Sequence, residues 1–325
     1  MSPPAQPARA PRTSAAPPRV AFLGPPGTFT EQALLSQPDL AAGELVSVRS
    51  ISETILEVDE GRAELGVVPI ENAIEGSVNE TLDTLAFEAS EHLFIHREIV
   101  VPVDLNLCAR PGTKLSDVKT VLSIPHASAQ CRDWLARKLP SVPVQAANST
   151  AEAAREVARS RAGGRAAIAP SLAAELYGLE VVAAAIHDHP DNSTRFVVIG
   201  HGIPARTGHD KTTIVVFQSH QDRPGGLLAI LQEFAARAIN LTKLESRPTK
   251  RELGSYCFFI DFEGHISDEL VADVLRSLAA KHEVRFLGSY AAAGREAGAR
   301  RQAAGKAWRA ASSWVDGLRA RVRWQ

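Results

Sequence analysis

From Arg19 onward, short apolar runs alternate with longer stretches whose apolar positions recur at helical spacing. Val20–Leu23 reads as a strand, and Gly24-Pro25-Pro26-Gly27 turns the chain into a helix beginning near Thr28 and Thr30. Leu45–Val48 is a second strand, with a helix around Ser52–Gly61. Leu65–Ile70 is a third, with a helix over Ser77–Phe87. Leu93–Leu107 is mostly extended. Val118–Ser123 then opens another strand-and-helix series, with helices near Ala127–Leu139 and Thr150–Ser160. Alternation of this kind predicts an α/β architecture with largely parallel sheets. The extended stretch near 97–107 reads as a crossover between two lobes, and Thr194–Gly200 as the return. Two lobes joined by crossing strands leave a cleft suited to a small ligand.

Residues 211–290 carry a different pattern. Strands are predicted at Thr212–Gln218, Thr242–Arg247, Ser255–Phe262 and Val284–Tyr290, with helices at Gly225–Ala238 and Asp268–Lys281. That order, βαββαβ, is the ferredoxin-like split unit. The expected organisation is therefore an N-terminal arm (1–19), a two-lobed domain (20–203, one lobe from 20–98 with 185–203, the other 99–184), a linker (204–211), a regulatory-type domain (212–290) and a tail (291–325). The arm is rich in Pro, Ala and Arg, a composition that favours disorder. In the tail Trp308, Ala311, Val315, Leu318 and Val322 recur at helical spacing, predicting a helix that packs on the body or on a second subunit.

Composition narrows the function classes. The 325 residues are 45% hydrophobic and 22% charged, values of an ordinary globular protein. The net charge of -1 conceals +3 in residues 1–19 and +6 in 291–325, leaving -10 for 20–290. An acidic body argues against nucleic acid as a partner, because phosphate contacts need a basic footprint. No run is long enough for a membrane-spanning helix, and the N-terminus lacks the apolar core of a signal peptide. Cys108, Cys131 and Cys257 are isolated, so neither a zinc site nor a redox motif is supported. Buried free thiols in a reducing cytoplasm fit better. His187 and His189 lack partners at ligand spacing and read as solvated loop residues; no metal is expected.

Several segments carry chemistry. Gly24–Thr30 follows the first strand but matches neither G-x-G-x-x-G nor a Walker sequence and lacks the phosphate-binding Lys, so nucleotide binding is rejected. Thr28, at a helix start, can hold a carboxylate or merely cap the helix. Glu71 and Asn72 lie just past a buried strand, where ligands of open α/β sheets collect; either can instead cap a turn. Ser123 and Gln130 repeat the arrangement in the second lobe. Ser149 and Thr150, ahead of Ala151–Ala158, have the form of an N-cap. Finally, Thr194 and Arg195 set a hydroxyl beside a guanidinium where a polar loop meets an apolar strand. Side chains alternate along a strand, so the two point apart unless a twist or bulge lets both serve one cleft.

Taken in order, Gly24-Pro25-Pro26-Gly27-Thr28-Phe29, Pro69-Ile70-Glu71-Asn72, Ala129-Gln130-Cys131, Ser149-Thr150-Ala151 and Asn192-Ser193-Thr194-Arg195-Phe196 make the chain resemble the prephenate dehydratase family over residues 20–290. Glu245-Ser246-Arg247-Pro248 matches that family's regulatory E-S-R-P segment, and the βαββαβ unit resembles an ACT domain. The resemblance implies a two-lobed, periplasmic-binding-protein-like catalytic domain followed by a ferredoxin-like ACT domain. It implies conversion of prephenate to phenylpyruvate, water and carbon dioxide without a cofactor. Thr194 would donate to the leaving oxygen and Arg195 would anchor a carboxylate. Glu71, Asn72, Ser123, Gln130, Ser149, Thr150 and Thr28 would complete the substrate site.

For the ACT domain the resemblance implies phenylalanine bound by Asp222, Gly225, Gly226, Leu227, Leu228, Glu245, Ser246, Arg247 and Pro248. A cytoplasmic homodimer or homotetramer would follow, since that effector sits between ACT domains. The sequence also departs from the family pattern. Ala73 stands where E-N-S has Ser, Ser123-Ile124-Pro125-His126 where S-H-P-Q is usual, and Gly225-Gly226-Leu227-Leu228 where G-A-L-V is usual. No segment resembling a chorismate mutase precedes residue 20, so a monofunctional form is expected. Arogenate dehydratase, the same chemistry on the amino-acid analogue, is the nearest alternative. A non-catalytic amino-acid sensor is an alternative of another class, but a sensor has no need of Thr194 alongside Asn72, Gln130 and Ser149.

Overall fold

The computed structural model describes residues 17–218, 224–250, 254–293, 310–311 and 313–321. The first lobe contains β1 (Arg19–Leu23), α1 (Phe29–Leu35), α2 (Pro38–Ala41), β2 (Glu44–Val48), α3 (Ile51–Asp59), β3 (Leu65–Asn72), β4 (Gly76–Ser77), α4 (Asn79–Asp83) and β5 (Leu93–Pro102). The second contains β6 (Asn106–Ala109), β7 (Thr120–Ser123), α5 (Pro125–Ala129), α6 (Arg132–Lys138), β8 (Val144–Ala146), α7 (Thr150–Arg159), β9 (Arg165–Ala169), α8 (Ser171–Tyr177) and β10 (Glu180–Ala183). The return strand β11 (Ser193–His201) runs antiparallel between β3 and β5. The last unit is β12 (Asp210–Phe217), α9 (Gly226–Ala235), β13 (Leu241–Pro248), β14 (Tyr256–Glu263), α10 (Glu269–Ala279) and β15 (Glu283–Ala291).

The second lobe has its own five-stranded sheet, ordered β10-β6-β9-β7-β8. The first lobe and the βαββαβ unit share one sheet of ten strands, ordered β13-β14-β12-β15-β5-β11-β3-β1-β2, with β4 on β3. The joint is the close approach of β15 to β5. Gly288 makes it possible: with φ at +142°, a Cβ there would lie 2.6 Å from the Ile95 carbonyl oxygen. The hydrophobic core is continuous across the same joint. Ile55, Leu82 and Leu85 of the first lobe cluster with Val215, Phe217, Phe259 and Leu287. Burying one face of the small sheet on α4 fixes its position relative to the lobe. Its other face carries α9 and α10 over Ile214, Val216, Phe258, Ile260 and Phe262.

Most predicted elements form where the pattern placed them, and the differences have local causes. The stretch from Leu93 is a first-lobe strand as far as Pro102, and the crossing is completed before Asn106. The helix expected over Ala127–Leu139 is split between α5 and α6. The Asp188 carboxylate accepts the Asp133 and Trp134 amides at 2.9 and 3.1 Å, which starts a new helix there. The helix over Ser77–Phe87 ends in a wider π turn, Thr84–Glu88, capped by Arg285 donating to the carbonyls of Ala86, Ala89 and Ser90. Pro69 is tolerated inside β3 because β1 pairs only as far as Val67 and a bulge beside Phe196 interrupts the other ladder.

His187 corrects the sequence reading. Its side chain is buried and its Nδ1 accepts the Leu105 amide at 3.2 Å, so it is a structural acceptor, not a solvated group. All three cysteines are buried and free. Burial pushes the Cys108 and Cys131 thiols up to about 12 and Cys257 up to about 11. Gly225 caps α9 with φ at +87° and Gly226 is its first residue, so the second glycine falls at the helix start, where it does not weaken the interior. Among the described residues no helix is long and apolar enough to cross a membrane. Asp222, most of the N-terminal arm and the tail residues Trp308 and Val322 lie outside the described residues. Trp314, Val315 and Leu318 are exposed on a helical segment of the tail.

Candidate active site

The lobes meet around Asn72 and Thr194, cross-strand partners at the ends of β3 and β11. The chain turns sharply after Asn72, and its Oδ1 accepts the Ile74 and Glu75 amides at 2.9 and 3.0 Å. Two obligatory donors on one side fix the orientation of the amide. Its Nδ2 therefore faces Thr194 and donates to Oγ1 at 2.9 Å. With its oxygen accepting that bond, the threonine hydroxyl keeps its own proton for another acceptor.

The same turn reaches the second lobe. Glu75 accepts Gln130 Nε2 at 3.2 Å through one oxygen, and the other lies 3.2 Å from His126 Nδ1. Gln130 in turn accepts Asn192 Nδ2 at 2.9 Å, just ahead of β11. Asn72, Thr194 and Gln130 are thus brought to one place. The other second-lobe residues are organised by helix starts. Ser149 caps α7, accepting the Glu152 amide at 2.9 Å, with Thr150 buried beside it. Ser123 is buried at the end of β7, its hydroxyl turned to the Ile124 carbonyl.

Across from α7, Thr28 caps α1: its Oγ1 accepts the Glu31 amide at 3.4 Å and donates to the Leu23 carbonyl at 3.2 Å. Gly27 presses this loop against the second lobe, since a Cβ there would stand 3.2 Å from Ala173 and 3.4 Å from the Ala151 methyl. Tyr177 Oη donates to the Pro26 carbonyl at 2.7 Å in the same contact. The first-lobe loop therefore abuts the N-terminal end of α7 and lies along α8 from Ala173 to Tyr177.

Arg195 and Glu71 are placed elsewhere. The strands alternate, so this second cross-strand pair points away from Thr194 and Asn72. The bulge that would have let Arg195 share the cleft falls after it, between Arg195 and Phe196. Its guanidinium donates to Glu98 and Asp261, each at 2.7 Å, and to Tyr290 Oη at 2.8 Å. Tyr290 lies 2.7 Å from Thr213 Oγ1, which donates to Asp261 at 2.8 Å. Lys211 donates to Glu98 at 2.9 Å.

Side chains from six adjacent strands, β14, β12, β15, β5, β11 and β3, two of them from β12, join this row across the domain joint. Burial disfavours the charged guanidinium, but Tyr290, Asp261 and Glu98 outweigh it and hold Arg195 above its ordinary value. Tyr290 is pushed up by burial and by Asp261. Arg195, expected as a carboxylate anchor, is held at the domain joint by Glu98, Asp261 and Tyr290. Nothing in the local sequence distinguishes these roles, because Glu98, Asp261 and Tyr290 are far away along the chain.

The E-S-R-P segment is divided in the same way. It lies on β13, an edge strand whose residues alternate between half-buried and exposed. Glu245 and Arg247 face the first lobe: Glu245 bonds to Ser77 Oγ, and Arg247 Nε donates to Asp83 at 3.1 Å. Lys243, which sequence reasoning passed over, donates to Ser77 at 2.7 Å. Ser246 and Pro248 face outward, as do Leu244 on the same strand and Leu228 on α9.

Known proteins divide the chain at the same joint. The family model described as prephenate dehydratase matches residues 20–203, and the ACT domain model matches 213–280. The curated prephenate dehydratase of Mycolicibacterium vanbaalenii is 43% identical over 318 residues, covering 93% of this chain and 98% of its own. A crystal structure of prephenate dehydratase from Arthrobacter aurescens in complex with L-Phe is 42% identical, with a TM-score of 0.84, covering 92% and 99% of the two chains. The Staphylococcus aureus prephenate dehydratase is 30% identical with a TM-score of 0.72, covering 84% and 99%. The paired lobes, the hydroxyl held between them and the attached βαββαβ unit thus have one common explanation: this chain belongs to the prephenate dehydratase family and carries an ACT domain.

Proposed function

We infer that the chain converts prephenate to phenylpyruvate, carbon dioxide and water. The observation that carries the reading is the Asn72–Thr194 hydrogen bond, which leaves the threonine proton free. Prephenate has a ring hydroxyl para to a carbon that bears a carboxylate. The C–C bond to that carboxylate breaks and leaves its electron pair in the ring. The C–O bond then departs with its own pair, and the ring becomes aromatic. The dianion takes up one proton overall, which accompanies the hydroxyl out as water. A threonine hydroxyl is too weak an acid to give up its proton outright, so Thr194 polarises the leaving oxygen and relays a solvent proton.

Neutral donors suit the departing carboxylate, because a tight ion pair there would stabilise the ground state more than the transition state. Gln130 and the start of α7, with Ser149 and Thr150, supply such donors, and helix N-terminal amides favour an anion. The removal of Arg195 from the substrate site agrees with this requirement. The test is phenylpyruvate formation from prephenate, with kcat/KM compared on arogenate; no turnover of either, in a folded protein, would sink the reading.

The outward face of β13, with Leu244, Ser246 and Pro248, and the neighbouring Leu228 support an ACT–ACT contact that binds phenylalanine in a homo-oligomer. An unpaired edge with exposed apolar groups favours pairing with a second copy. Gel filtration and an activity titration with phenylalanine test this, and unchanged size and rate would remove it.

A further inference from the structure

Glu71 sits between the two charge clusters at the domain joint. Its Oε2 lies 3.4 Å from Arg195 Nη1 and 3.5 Å from Lys243 Nζ. Both contacts are long. Each cation has a closer partner: Arg195 holds Glu98 and Asp261 at 2.7 Å, and Lys243 holds Ser77 at 2.7 Å. Glu71 is therefore shared between a regulatory strand and the strand that carries Thr194, without being committed to either. The Glu71 side chain is 37% exposed while Arg195 and Lys243 are 12% and 10% exposed, so its pairing is partly screened and its balance between the two cations follows their relative distances. The next residue along β3 is Asn72, which fixes the Thr194 hydroxyl.

We propose that Glu71 is a positioning residue through which displacement of Lys243, on the ACT domain, shifts the Asn72–Thr194 hydrogen bond. Movement of β13 on effector binding changes the pull of Lys243 on Glu71, and the end of β3 follows. The chemistry is then tuned without any contact between effector and substrate. The proposal rests on the phenylalanine reading of the ACT domain. It requires a coupling free energy that is the same whichever ligand is varied.

The experiment uses the full-length protein and the variants Lys243→Met, Lys243→Arg and Lys250→Met. Phenylalanine binding is followed by calorimetry, and activity by phenylpyruvate release. Lys250 forms another interdomain ion pair, 2.6 Å from Asp83, and does not itself touch Glu71. It therefore controls for mere loss of interface charge. In Lys243→Met we expect kcat without effector within about twofold of wild type and phenylalanine still bound. The effect of phenylalanine on kcat/KM falls by on the order of tenfold, within the usual range of allosteric coupling. Lys243→Arg restores the response and Lys250→Met keeps it.

An undiminished response in Lys243→Met overturns the proposal, as does an equal loss in Lys250→Met. Loss of phenylalanine binding itself in Lys243→Met also overturns it, because Lys243 would then belong to the effector site. If the wild-type protein neither binds nor responds to phenylalanine, the underlying effector reading fails and takes the proposal with it. Glu71→Gln gives a second readout: acting through Asn72, it lowers kcat more than it raises KM.

Discussion

Thr194 and Arg195 are neighbours in sequence with opposite duties. The Thr194 hydroxyl takes the Asn72 amide at 2.9 Å where the lobes meet, while the Arg195 guanidinium, on the other face of the strand, bridges Glu98 and Asp261 at 2.7 Å. One residue faces the junction of the lobes and the next ties the first-lobe sheet to that of the ACT domain.

Asn72→Ala should lower kcat by about 100-fold, the usual cost of removing an aligned donor, with little change in KM. Thr194→Ala should cost at least as much, and Thr194→Ser should keep part of the rate. Because the two residues act as a unit, the double variant should lose little more than Thr194→Ala alone. Steady-state kinetics on folded protein check all three, and full additivity would argue against a shared role.

Arg195→Met leaves Glu98 and Asp261 buried without their main counter-charge. Side chains only 2% and 3% exposed cannot recruit water, so a loss of roughly 3–5 kcal/mol in stability is expected. Arg195→Lys keeps the charge but not the three-way fork, and should lose less. Denaturant unfolding measures this. A well-folded Arg195→Lys protein with KM raised many-fold would instead return Arg195 to the substrate site.

Gly288→Ala places a methyl against the Ile95 backbone at a φ that side chains rarely adopt. The strand β15 must then move away from β5. The expected outcome is a loss of about 1–3 kcal/mol with the joint opened, detectable as faster amide exchange in 93–97 and 285–291. Unchanged exchange would mean that the two sheets are not held together at this point.

His96 has a buried Nε2 with no protein partner. Desolvation lowers its pKa below 6.5, against smaller opposing effects of nearby backbone groups. The unfolded chain therefore binds the proton more readily than the folded one. Stability from this group is present above 6.5 and is lost as pH falls from there through the lowered folded value. Thermal unfolding between pH 7.5 and 5.5 should show the decline, and His96→Gln should flatten it; an unchanged slope would assign the effect to other groups.

The local pattern carried a large part of this molecule. Helix caps at Thr28 and Ser149, strand ends at Asn72 and Thr194, and the βαββαβ order all depend on residues within a turn or two of each other, so they are legible along the chain. The split at Gln130 was not legible, because it depends on Asp188, and neither was the burial of His187. The shared interdomain core was hidden for the same reason. Strand periodicity predicted that Thr194 and Arg195 point apart, but it could not say what either would meet.

What the sequence by itself determined was the set of elements, the family and the residues at the strand ends, since periodicity, turn chemistry and motif order are local. Only the tertiary structure decided which of those residues share a cleft. Arg195 and Glu71 were assigned to the joint by Glu98, Asp261, Tyr290 and Lys243, which reach them through sheet pairing and burial. A buried charge must be neutralised by whatever the fold brings within hydrogen-bonding distance, and that partner has no signature in the neighbouring residues.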